Sequence, residues 1–174
     1  MLSEDVRQLR RRVDDWDVEL RSQQIRGTLT VGIAAKALLA FESVLTQAVS
    51  IFLRELGPIG NSRCRQLIHG KSFVRASLGD KCVLIRGLRG DITQKLVARG
   101  VQVSEDFGSA AEMKTLNNLV QYRNKLVHGK MGAEGGLDPE VGKAIAAQIG
   151  FFCDSTLLRT AILMSEGAHS NVKG

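Results

Sequence analysis

The densest apolar run, residues 31–56, carries Leu38, Leu39, Phe41, Val44, Leu45, Val49, Phe52 and Leu53 on several sides of a helical period. A helix that is apolar nearly all round belongs at the centre of a bundle. Lys36, Glu42, Gln47, Arg54 and Glu55 interrupt the run. A membrane span needs about 20 nearly uncharged residues, so the run reads as a buried helix. A second periodic segment, 109–128, places Met113, Leu116, Leu119, Val120, Leu126 and Val127 in one arc. A third, 138–166, carries Ile145, Ile149, Phe152, Leu157, Ala161 and Met164. No segment alternates apolar and polar residues between hairpin turns.

Helix boundary signals agree with this reading. Ser3 can cap a first helix, Glu4 and Asp5 complement its positive end, and Gly27 stops it. Gly57-Pro58 ends the second helix. A short helix is expected over 62–69, and 78–99 reads as helical with a break at Gly87-Leu88-Arg89-Gly90. Ser109 with Glu112 forms a capping box that opens a helix ending before Gly129. Asp138-Pro139 starts the last one. The expected fold is all-α, an up-and-down helical bundle of about five to six helices without a sheet. Its longest helices are expected over 3–26, 30–56, 109–128 and 138–166. One domain spans 1–167, the glycine-rich 129–137 is a flexible loop, and 168–174 is a disordered tail.

Composition narrows the function. A chain of 174 residues buries one core unaided. Only 2 Pro and 5% aromatic residues favour helices over strands. A net charge of +6 and a pI near 9.5 attract polyanions, nucleic acid first among them, and also meet the ordinary needs of solubility. Three cysteines without a CxxC pair suggest neither a disulfide framework nor a zinc site, and they fit a reducing cytoplasm. His69, His128 and His169 lack ligand spacing, so no metal or cofactor is expected. The N-terminus is charged from residue 4 and reads as no signal peptide. Gly87-Leu88-Arg89-Gly90 matches the GXXG loop of single-strand RNA modules, but those set it beside a sheet, so it reads as a helix break. Arg10-Arg11-Arg12, followed by Asp14, Asp15 and Asp17, reads as a solvated face.

The informative segment is Asn117 to Gly129, NNLVQYRNKLVHG. On a helical wheel Arg123 falls inside the apolar arc, and Asn117, Asn124 and His128 form the arc's polar edge. An arginine among core-facing leucines is expensive unless an anion or a carboxylate meets it. Two readings stay open. Arg123 reaches a structural Asp or Glu on another helix, with His128 simply at the helix C-terminus. Alternatively, the group handles phosphodiesters: arginine clamps the phosphate, histidine moves protons near neutral pH and asparagine positions an oxygen. One chain offers only one such histidine, and cleavage by a 2′-hydroxyl needs a base and an acid. A symmetric dimer supplies both.

Arg123-Asn124-Lys125-Leu126-Val127-His128 resembles the signature of the HEPN superfamily, an arginine, often followed by asparagine, with a histidine a few residues on. The position at the end of a late helix, followed by Gly and one more long helix, is similar too, as is the Ser77-Leu78-Gly79 segment upstream. The resemblance implies a helical bundle and a metal-independent endoribonuclease that dimerises around two Arg–His motifs. It implies RNA as substrate, a 2′,3′-cyclic phosphate product and a toxin or defence role. His128 would transfer protons, Arg123 would clamp phosphate and Asn124 would support by hydrogen bonding. Toxins of this family with a nucleotidyltransferase antitoxin often carry Tyr two residues beyond the His, and Lys130 stands there instead. The chain also resembles mannitol-repressor-like helical regulators, which do not cleave. An antitoxin or other protein partner fits the first reading. Affinity for RNA is expected from Lys125 and Lys130 beside the motif, with Lys71, Arg75 and Arg86 as further candidates.

Overall fold

A computed structural model describes residues 1–26, 29–129 and 136–170. The described residues form seven α-helices: α1 (Leu2–Arg26), α2 (Val31–Leu56), α3 (Pro58–Leu67), α4 (Leu78–Ala98), α5 (Ala110–Val127), α6 (Pro139–Cys153) and α7 (Thr156–Ser170). A short 3-10 turn lies at Phe73–Arg75. The fold is an all-α bundle. Among the described residues the only strands are an antiparallel pair of two residues each, β1 (Leu29–Thr30) and β2 (Gly136–Leu137), with Leu29 opposite Leu137 and Thr30 opposite Gly136. It clasps the α1–α2 connection to the segment that enters α6.

α2 is the axis of the bundle and packs against all six other helices. Phe41, Leu45, Ala48, Val49 and Phe52 on it are fully buried. Its Ala34–Leu56 stretch is long and apolar enough to cross a membrane by length and composition, but 56% of that window is buried inside the bundle. Two edge-to-face aromatic pairs fix its neighbours. Phe41 meets Phe152 of α6 at 4.9 Å between ring centroids, and Phe52 meets Phe107 at 5.9 Å. α1 runs antiparallel to α6, with Arg10 bonded to Asp154 towards one end and the β1–β2 clasp at the other.

Four expected boundaries differ. α4 runs unbroken through Gly87-Leu88-Arg89-Gly90. The glycine at 87 serves packing: a Cβ there would lie 2.5 Å from Leu67 Cδ1, so its absence lets α3 approach α4. The expected helix over 138–166 is two helices, because the chain turns at Asp154 and Ser155. There the Ser155 hydroxyl accepts the Leu158 N–H at 3.3 Å. This turn alone makes the described helices seven, one above the upper end of the expected count; α3 begins at Pro58, four residues before its expected start. α7 reaches Ser170, so the first residues of the expected tail are helical. Residues 130–135 of the glycine-rich segment and 171–174 of the tail lie outside the described residues.

Candidate functional site

α5 is anchored at both ends. At its start the Ser109 hydroxyl accepts the Glu112 N–H at 3.3 Å. The Glu112 carboxylate does not close the expected box on Ser109. It accepts the Gly108 N–H at 3.0 Å, the Thr156 N–H at 2.6 Å and the Thr156 hydroxyl at 2.5 Å. One carboxylate thus serves the orphan amides that open both α5 and α7. At the other end Gly129 takes a positive φ of 64° and donates its N–H to the Leu126 carbonyl at 3.1 Å. His128 is the C-cap residue and donates its own N–H to the Asn124 carbonyl.

Arg123 meets a carboxylate on another helix. Its Nε donates to Glu42 Oε2 at 2.8 Å and its Nη2 to Glu42 Oε1 at 3.2 Å. This is the bidentate fork that only arginine can make. The two side chains are 26% and 25% exposed, so the pair sits at the margin of the core. Among the described residues nothing engages Arg123 Nη1. Behind Glu42, the Thr46 hydroxyl donates to the Glu42 carbonyl at 2.8 Å and accepts from Lys81 Nζ at 2.9 Å. Lys81 is buried on α4, with its ammonium 5.9 Å from the centre of the Phe73 ring. The turn of α2 that carries Glu42 is therefore tied to α4 as well as to α5.

The arc read from the sequence is buried only in part. Met113, Leu116, Leu119 and Val120 are core residues, Leu126 is half-buried, and Val127 is 58% exposed. The last turn of α5 projects past the helices that cover its earlier turns. Asn124, Lys125 and His128 are all exposed there. They continue a solvent-facing strip that begins at Lys114 and passes through Asn117 and Gln121. The only acidic residue of α5 is Glu112, turned towards α7, so the strip holds hydrogen-bonding amides and two lysines with no carboxylate among them. Lys130 lies outside the described residues. Lys71 is paired with Asp80 at 3.3 Å, while Arg75 and Arg86 are exposed.

Other chemistry is limited by burial. Cys64, Cys82 and Cys153 are unpaired and buried. Burial pushes the thiols of Cys82 and Cys153 up to about 11 and raises that of Cys64, so none is poised as a thiolate. Among the described residues no three His, Cys, Asp or Glu side chains group so as to hold a metal ion. Glu42 was legible only as a charge interrupting an apolar run; its spacing carried no hint of Arg123. No family model matches the chain, and no curated protein or solved structure matches it.

Proposed function

We propose that the chain is an endoribonuclease of the HEPN kind, acting in a reducing cytoplasm at a site completed by a second copy of itself. The observation that carries this reading is the end of α5: an arginine fixed by a fork to Glu42, followed within six residues by an exposed Asn124 and an exposed His128. The fork orients the guanidinium before RNA arrives, and Nη1 is left to bind a phosphate oxygen. Neutral His128 of one copy takes the proton from the RNA 2′-hydroxyl. The 2′-oxygen bonds to phosphorus, the bond to the 5′-oxygen breaks, and protonated His128 of the second copy gives that oxygen its proton. The products are a 2′,3′-cyclic phosphate and a 5′-hydroxyl.

The surface around the pair suits a second copy. Glu42 meets Arg123 while Phe52 meets Phe107, so α2 and α5 run antiparallel. Leu39 lies one turn beyond Glu42 and Val127 one turn beyond Arg123, towards the same end of the bundle, and they are 55% and 58% exposed. Covering these two side chains by symmetry brings two copies of α5 together beside their histidines.

A second reading rests on the same ion pair. Glu42 neutralises Arg123 within one chain, which fits a purely structural role for the pair and a non-catalytic helical regulator of the mannitol-repressor-like kind. One assay separates the two. Purified protein is incubated with mixed single-stranded RNA in EDTA. The nuclease reading predicts fragments ending in cyclic phosphate from the wild type and none from His128→Ala. Intact RNA in both favours the regulator.

A further inference from the structure

A cleft of about 350 Å³ lies between the start of α5, the end of α6 and the start of α7. Its floor is apolar, built by Leu116, Phe152 and Leu157, and Phe151 forms one wall. Phe151 is 73% exposed, an aromatic ring with one side of its surroundings left to solvent. Asp106, Asp154 and Arg159 stand at the rim, and the Glu112 carboxylate lines the side between α5 and α7. The three rim residues are exposed; Asp154 pairs with Arg10, Glu112 is engaged by Thr156, and no carboxylate pairs with the Arg159 guanidinium among the described residues. An apolar slot with an exposed aromatic wall, carboxylate acceptors and an unpaired arginine offers an unstacked base a ring to stack on and acceptors for its N–H groups.

The position of the cleft ties it to the strip on α5. Ala111 and Thr115 line it, and Lys114 is exposed on the adjoining face of the helix. From Thr115 to His128 the helix rises by about 20 Å, a span of a few nucleotides. Lys114, Gln121 and Lys125 mark the path with donors and cations, and no acidic side chain stands on it. Building on the ribonuclease reading, we propose that this cleft takes one unstacked base of the RNA strand cut at His128, with Phe151 as its stacking platform. A base with N–H donors on its pairing edge, guanine foremost, fits the acceptor at Asp106.

The test uses full-length His128→Ala protein, which holds RNA without cutting it, and short fluorescein-labelled single-stranded RNAs read by fluorescence anisotropy at low salt. Phe151→Ala in that background weakens binding about tenfold, and Phe151→Tyr, which keeps the ring, stays within about twofold. Guanine-containing strands lose the most. The side chain is exposed, so the thermal midpoint does not move. Equal affinities for the Phe151→Ala and parent proteins overturn the base site while leaving the nuclease reading intact, and assign the cleft to another occupant such as a protein side chain. Absence of RNA binding by the His128→Ala parent overturns both.

Discussion

Glu42 and Arg123 stand 81 residues apart in the chain and meet through two parallel hydrogen bonds, Nε to Oε2 and Nη2 to Oε1. The pair fixes α5 against the central helix and sets the direction of the guanidinium at the same time. Each side chain is about three-quarters buried. Truncating one partner therefore strands the other in a partly desolvated place, at a cost of about 1–3 kcal/mol. Glu42→Ala and Arg123→Ala are each expected to lower stability in urea unfolding by that amount. The double variant is expected to cost less than the sum of the two, with a coupling of about 0.5–3 kcal/mol. Strict additivity would mean that the fork contributes nothing to the fold.

His128 contributes to function and hardly to stability. It caps α5 through its backbone, and its side chain faces solvent. His128→Ala is expected to leave the unfolding free energy within about 0.5 kcal/mol of the parent while lowering RNA cleavage by about 10²–10⁴-fold. Asn124→Ala has a smaller effect. Arg123→Lys loses the fork and with it the activity, because a lysine ammonium is a point charge. Wild-type cleavage by His128→Ala protein would show that the site lies elsewhere.

The thiols make a prediction about pH. Burial pushes the Cys82 and Cys153 thiols up to about 11 in the folded protein, from an ordinary value of 9.0. Burial raises the folded value, so the contribution is complete below the unfolded value and is lost as the pH rises towards the folded one. Stability is expected to fall as the pH rises from 9.0 to about 11. Native protein at pH 8 is expected to leave both thiols unlabelled by a thiol reagent within minutes, with all three cysteines reacting after denaturation. Rapid labelling of Cys82 in the native state would contradict the buried geometry.

RNA affinity is expected to depend on salt as a row of phosphate contacts does. With four to six contacts, catalytically dead His128→Ala protein should give a slope of roughly −3 to −4 in log affinity against log salt. Removing Lys125 and Lys130 together should flatten it by about one to one and a half. An unchanged slope would place RNA on another surface.

The helices were legible because their periodicity and capping are local. Ser109, Gly129, Asp138 and the Gly57-Pro58 stop each mark a boundary within a residue or two of where it lies. What was not legible depended on distant neighbours. Gly87 looks like a break until Leu67 is seen filling its missing side chain. The single helix expected over 138–166 turns at Ser155, where Glu112 from α5 holds the new amide of Thr156. At the site, Arg123 could be singled out as an arginine needing an anion, but Glu42 could not be named as its partner. Val127 carries an apolar side chain in phase with the core, yet the helix outruns its cover there. Phe151 is likewise apolar in phase with nothing that covers it.

The central claim is that two copies of His128 act on one phosphate, one as base and one as acid. Its most direct measurement is cleavage by mixed dimers. Wild-type and His128→Ala chains are coexpressed at graded ratios, purified together, and assayed on single-stranded RNA in EDTA. Because only dimers with two wild-type chains hold a complete site, activity is predicted to fall as the square of the wild-type fraction, to about one quarter at an equal mixture of a two-fold symmetric dimer. A linear fall, one half at equal mixture, would show that each chain works alone and would contradict the shared site.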